Sequence, residues 1–141
     1  MNKTMIHRRK VDVDIIDVGQ AFGMPEGAMN IQWMINKDVG DESYRHNFAV
    51  RRYILKPVDV DAIPFHNHEY VQALTVIRGT VHCETPDGVV IAEEGDSVYF
   101  ASNEKHKAVP VGDETVEIIC VIDCPGNGDN CRPVVPQKMT T

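Results

Sequence analysis

The sequence predicts an all-β domain, and three observations carry that reading. Apolar and polar residues alternate with period two in short runs such as Val11-Asp12-Val13-Asp14-Ile15, the signature of a strand with one wet face. From Asn47 onward, short β-rich runs are divided at close intervals by glycine, proline and acidic residues. No segment makes a convincing amphipathic helix. Short strands at this spacing build a sandwich or a barrel, and closure removes the exposed edges that so many strands would leave.

The elements follow in order. Val11 to Ile15 is a first strand, and Met24-Pro25-Glu26-Gly27 breaks the chain as a turn. Met29 to Ile35, centred on Ile31 and Trp33, is a second strand, followed by the polar loop Lys37 to Glu42. Phe48 to Lys56 stops at Pro57. Ala62 to His68 comes next, then Val71 to Ile77 ending at Gly79, and Thr80 to Thr85 ending at Pro86-Asp87-Gly88. Val89 to Ala92, Ser97 to Ala101, Lys107 to Val111 and Val116 to Ile122 complete the set. The tail from Cys124 is rich in proline and glycine and reads as an extended arm. The chain thus divides into N-terminal strands and loop over 1–46, a barrel over 47–123 and a tail over 124–141.

Composition narrows the function classes. Hydrophobic residues make up 43% and charged residues 25% of 141 positions, the balance of a globular chain large enough for one core. A net charge of −7 argues against nucleic acid as partner, because phosphate binding needs a basic face. The basic cluster His7-Arg8-Arg9-Lys10 reads as solvated. No run approaches the ~20 apolar residues of a membrane span, and Met1 to Arg8 has no apolar stretch behind its charges. The expected setting is the cytoplasm, with reduced cysteines.

The chemistry sits in the histidines. Pro64-Phe65-His66-Asn67-His68 places two imidazoles at i and i+2, on one face of an extended segment and close enough to share an ion. Gln72 stands four residues after His68, and Gly79 seven residues beyond Gln72. Gly95-Asp96 opens a second segment that ends on His106. These two segments resemble the two cupin motifs, G-x5-H-x-H-x3,4-E-x6-G and G-x5-P-x-G-x2-H-x3-N. The resemblance implies a jelly-roll antiparallel barrel with His66, His68 and His106 holding one divalent metal: Fe or Mn first, with Ni, Zn and Cu as further candidates. It covers about Asn47 to Ile122, and it implies a homodimer. The departures are Gln72 in the glutamate slot, Val60 for the first glycine, Ala101 for the proline, Asn103 for a glycine and Pro110 for the closing asparagine. Gln72 alone touches the chemistry, as a fourth ligand without charge. Asn103 suits a left-handed turn.

Three imidazoles and an amide leave the charge of a divalent ion uncompensated, which favours an anionic small organic substrate. The first reading is a mononuclear oxygenase of the dioxygenase kind. The second is a lyase or isomerase using Zn, Ni or Mn as Lewis acid, with Tyr53, Tyr99 or His82 as base. The third is a non-catalytic binding cupin. Alternation along Phe48 to Leu55 turns every second residue inward. The resemblance to small single-domain cupins, whose Asn-Phe-x-x-Arg strand precedes the paired histidines, favours the set Arg51, Tyr53 and Leu55 over that of Arg52. Arg51 is then placed to meet a substrate carboxylate or to make a surface salt bridge. Ile118, Cys120 and Ile122 share a face, and the resemblance turns Cys120 toward the metal. Cys83 reads as core, and Cys124 and Cys131 read as mobile reduced thiols in preference to a disulfide or a peripheral metal clip. His7, His46 and His82 read as surface or satisfied histidines, and Trp33 and Phe48 as core or interface residues.

Overall fold

The computed structural model describes residues 5–41, 43 and 46–132. Its regular structure is nine strands: β1 (Ile16–Asp17), β2 (Met29–Ile35), β3 (Phe48–Leu55), β4 (Gln72–Arg78), β5 (Val81–Thr85), β6 (Gly88–Ala92), β7 (Ser97–Phe100), β8 (Lys107–Pro110) and β9 (Val116–Asp123). The described residues contain no α-helix, only short 3-10 turns. One sheet runs β1-β2-β3-β9-β4-β7 and the other β6-β5-β8, with every pairing antiparallel. This is the all-β architecture that the strand spacing predicts, in the antiparallel jelly-roll form that the resemblance implies.

Alternation decides what faces inward. On β3, Ala49, Arg51, Tyr53 and Leu55 are buried while the residues between them are not. On β9 the inward set is Val116, Ile118, Cys120 and Ile122. The two strands pair Arg51 with Cys120 and Tyr53 with Ile118, so both rows meet on one inner face. Leu74 and Val76 of β4, Val81 and Cys83 of β5, and Phe100 of β7 close the core with them. Cys83 is a core residue at 3% exposure. Arg52, one position off the inward set, pairs outside with Glu117 and donates to Gln32 Oε1 at 2.7 Å.

Two turns carry the strand breaks. Gly79 has φ +94°, and a Cβ there would lie 2.6 Å from Val116 Cγ2, so both backbone and space require glycine. Asn103 takes the left-handed conformation at φ 62°, the role expected of it from its place in the second motif.

Three expected elements differ. Val11 to Ile15 is not a strand. Lys10–Asp12 forms a 3-10 turn, and Ile16–Asp17 pairs with β2 instead. Val11 and Ile15 are exposed and only Val13 is buried, so the alternation does not define one buried face. The carbonyls of Lys10 and Val13 are taken by the Gln32 amide at 2.7 and 2.9 Å, which occupies the backbone that a ladder would use. Ala62 to His68 is not a regular strand either. Val60–Ala62 is a 3-10 turn, Pro64 has no N–H to donate, and His66 alone bridges to His106. The third is the start of the tail. Cys124 and Cys131 are joined in a disulfide with their Cα atoms 5.6 Å apart, and Cys131 is fully buried beside Ala49 and Ile122. They are not mobile reduced thiols, because packing against the barrel holds the turn Asp129–Cys131 where the sulfurs meet.

Candidate metal centre

The backbone brings the histidines together before any ion is considered. His66 N donates to His106 O at 3.0 Å and His106 N donates back to His66 O at 2.9 Å. This reciprocal pair fastens the first motif to the start of β8. Asn103 N donates to His68 O at 2.7 Å, so the left-handed turn grips the second histidine of the pair. The ligating nitrogens of His66, His68 and His106 lie within 4.8 Å of one another.

Each ring is also held by an aromatic neighbour. Phe22 meets His66 edge-on with centroids 5.2 Å apart. Tyr70 stacks on His68 at 3.8 Å and Phe100 stacks on His106 at 4.2 Å, both nearly parallel. Hydrogen bonds then fix two tautomers. His68 Nδ1 faces Tyr70 O at 2.8 Å and His106 Nδ1 faces Glu104 O at 2.7 Å. A carbonyl only accepts, so each Nδ1 carries the proton and each Nε2 keeps its lone pair.

Those lone pairs lack partners of the right kind. His106 Nε2 is buried with no hydrogen-bond partner at all. His68 Nε2 faces Gln72 Oε1 at 3.1 Å, while Gln72 Nε2 donates to Cys120 Sγ at 3.3 Å. Two lone pairs facing each other repel, and a cation between them reverses the sign of that contact. Burial pushes the His66 imidazole down to about 3, with repulsion from His106 and His68 adding to it. Burial likewise takes His68 down to about 4 and lowers His106. All three are therefore neutral at pH 7, the form that binds metal. Neutral imidazole nitrogens gathered this closely, one of them buried without a partner, are the donors a divalent transition metal takes. The residues present fit a divalent ion.

Beside the histidines a cleft of about 540 Å³, counting its open mouth, is lined by Arg51, Tyr53, Gln72, Cys120 and Ile118. Burial raises the Tyr53 phenol strongly and pushes the Cys120 thiol up to about 11. The other two base candidates are elsewhere. Tyr99 is 62% exposed on β7, and His82 on β5 binds Glu84 Oε1 at 2.7 Å. His46 meets Asn36 O and His7 is exposed. Trp33 is half-buried beside the core, whereas Phe48 is 41% exposed.

The cleft also contains residues that the sequence reading passed over. Tyr70 shares the parity of His66, His68 and Gln72, so the same period-two count extends to it. Phe22 and Met24 come from the 3-10 turn Gly19–Phe22 and the residues after it, a placement only tertiary structure gives. Lys107 is buried, and its ammonium donates to Val60 O at 3.0 Å and Ile63 O at 3.1 Å, fixing the approach to His66.

Comparison with known proteins agrees with this architecture. Residues 53–122 match the sequence model of the Cupin domain. No curated protein sequence matches the chain. Among solved structures, the polyketide cyclase RemF from Streptomyces resistomycificus superposes with a TM-score of 0.68 at 18% identity, covering 98% of this chain and 88% of that one. An RmlC-like cupin from Shewanella frigidimarina gives 0.64 at 18% identity, over 92% and 99% of the two chains. A predicted oxalate decarboxylase from Thermotoga maritima gives 0.66 at 17% identity, over 84% and 98%. At these identities the structures speak for the fold alone. With a domain model on the strands that carry the histidines and the same barrel recurring across nearly the whole chain, the chain belongs to the cupin superfamily.

Proposed function

We propose that the chain is a mononuclear metal enzyme of the dioxygenase kind, acting on an anionic small organic molecule. The observation that carries the reading is the donor set: three neutral imidazoles, one of them with a buried unpartnered Nε2, beside a neutral amide. His66, His68 and His106 would hold the ion, with Gln72 as a weak or displaceable fourth ligand. Fe or Mn would supply redox chemistry with dioxygen, and Ni, Zn and Cu suit the same donors. An ion left with its full charge in a desolvated cleft favours a substrate that brings negative charge. Arg51, Tyr53 and Cys120 serve as lining groups of the reaction chamber. Burial keeps the Tyr53 phenol protonated, so it does not serve to remove a proton.

The lyase or isomerase alternative needs a protein base. Tyr99 and His82 lie outside the cleft and Tyr53 is held protonated, which supports the oxygenase reading over it. The proposal includes a homodimer, supported by the edge strand β6, where Val89, Val90 and Ile91 are each half exposed. It also includes the cytoplasmic setting, in which burial of both cysteines would have to keep the Cys124–Cys131 disulfide from reduction. The test is dioxygen consumption by the iron-loaded protein across a panel of enolisable and aromatic acids, beside His106→Ala. Uptake with at least one acid, lost in the variant, is the expected result. Tightly bound zinc as the resident metal, with no uptake on any acid, would contradict it.

A further inference from the structure

Arg51 is a charge without a counter-ion. Its side chain is 4% exposed and its Nε has no hydrogen-bond partner. The guanidinium carbon lies 5.3 Å from the Trp33 ring, 5.2 Å from Tyr53 and 5.9 Å from Tyr70. This aromatic box favours a cation but does not neutralise it. No aspartate or glutamate is among the described residues lining the cleft. The other buried cation there, Lys107, is already engaged by two carbonyls and lies 3.9 Å from Glu84.

A guanidinium stays charged at any ordinary pH, so its desolvation must be offset by an anion or borne by the fold. Arg51 is joined to the histidines along the inner face. Its cross-strand partner is Cys120, Cys120 accepts from Gln72, and Gln72 faces His68. Tyr70 makes a second link, stacked on His68 and standing beside the guanidinium. With an ion held by the three histidines, the cleft would carry two positive centres on one lining, and its described lining residues include no acid.

We propose that the cleft selects a small dicarboxylate-like dianion, one carboxylate paired with Arg51 and the other anionic group directed to the three-histidine centre. The inference rests on the metal reading above and deepens it: a monoanion would leave one of the two centres uncompensated.

Calorimetric titration of the zinc-loaded chain with malonate and with propionate tests this, beside Arg51→Met. Malonate should bind at least tenfold tighter than propionate to the wild type. Arg51→Met should abolish that preference with zinc content unchanged. Equal affinities in the wild type, or a preference that survives the substitution, would overturn the proposal. The same titration on metal-free protein separates the two readings. Malonate binding that depends on Arg51 without metal supports the anion site even if zinc fails to load, whereas metal-free binding indifferent to the substitution counts against it. Thermal melts guard against misfolding. Ligand-free Arg51→Met should melt no lower than wild type, because an unpaired buried charge has been removed. A variant that melts far lower would mark Arg51 as structural, unless Arg51→Lys folds and keeps the malonate preference.

Discussion

At the residue scale, the three histidines have a consequence that does not depend on substrate. Their folded-state pKa values lie below 6.5, at about 3 for His66 and about 4 for His68. As pH falls, the unfolded chain therefore takes up protons before the folded one does. The sign follows from linkage: their contribution to stability is complete above about pH 6.5 and is lost as pH falls toward the folded values. Metal-free protein should show a flat melting temperature above pH 7 and a decline between pH 6.5 and 5, above ordinary carboxylate titration. A melting profile flat down to pH 5 would show that these rings are not held neutral. Most of the site was legible here because alternation is a strict geometric rule. It grouped Arg51 with Tyr53 and Cys120 with Ile118, while the cupin resemblance chose these sets for the inner face over that of Arg52, and the structure has both sets buried. Tyr70 was missed because it is a ring that supports His68 rather than a ligand type, although its parity pointed the same way.

At the element scale, the strands bounded by glycine or proline were legible and the others were not. β3 to β9 fall close to their expected spans because Pro57, Gly79 and Gly95 stand just beyond strand ends for local backbone reasons. The segments around Val11 and Ala62 failed because distant side chains, Gln32 and Lys107, claim their carbonyls, and no local pattern reports that. Two predictions belong here. Gly79→Ala should cost ~1–3 kcal/mol from left-handed strain and the contact with Val116, measured by denaturant unfolding. A neutral result would mean that the β4–β5 turn relaxes freely. Replacing Cys124 and Cys131 together by serine should cost about 2 kcal/mol for so short a closed loop, with separation 7, while leaving the β-sheet signal in circular dichroism intact. Loss of the whole barrel signal would show that the tail is integral to folding.

At the scale of the whole molecule, a barrel presents a dry face to one end, and histidines from two distant segments converge there through a single reciprocal backbone pair. The unpaired β6 edge predicts self-association. Val90→Lys, placed on that exposed edge, should shift a dimer toward monomer in sedimentation without changing metal content, and an unchanged oligomeric state would remove β6 from the interface. The barrel itself does not choose a chemistry, since this architecture hosts many. The proposed chemistry depends on the ion. Elemental analysis of anaerobically purified wild type beside His66→Ala/His106→Ala tests it most directly. About one divalent transition metal per chain, absent from a double variant that still folds, is the predicted result. A wild type that stays empty after reconstitution, or a double variant that keeps its metal, would contradict the three-histidine centre.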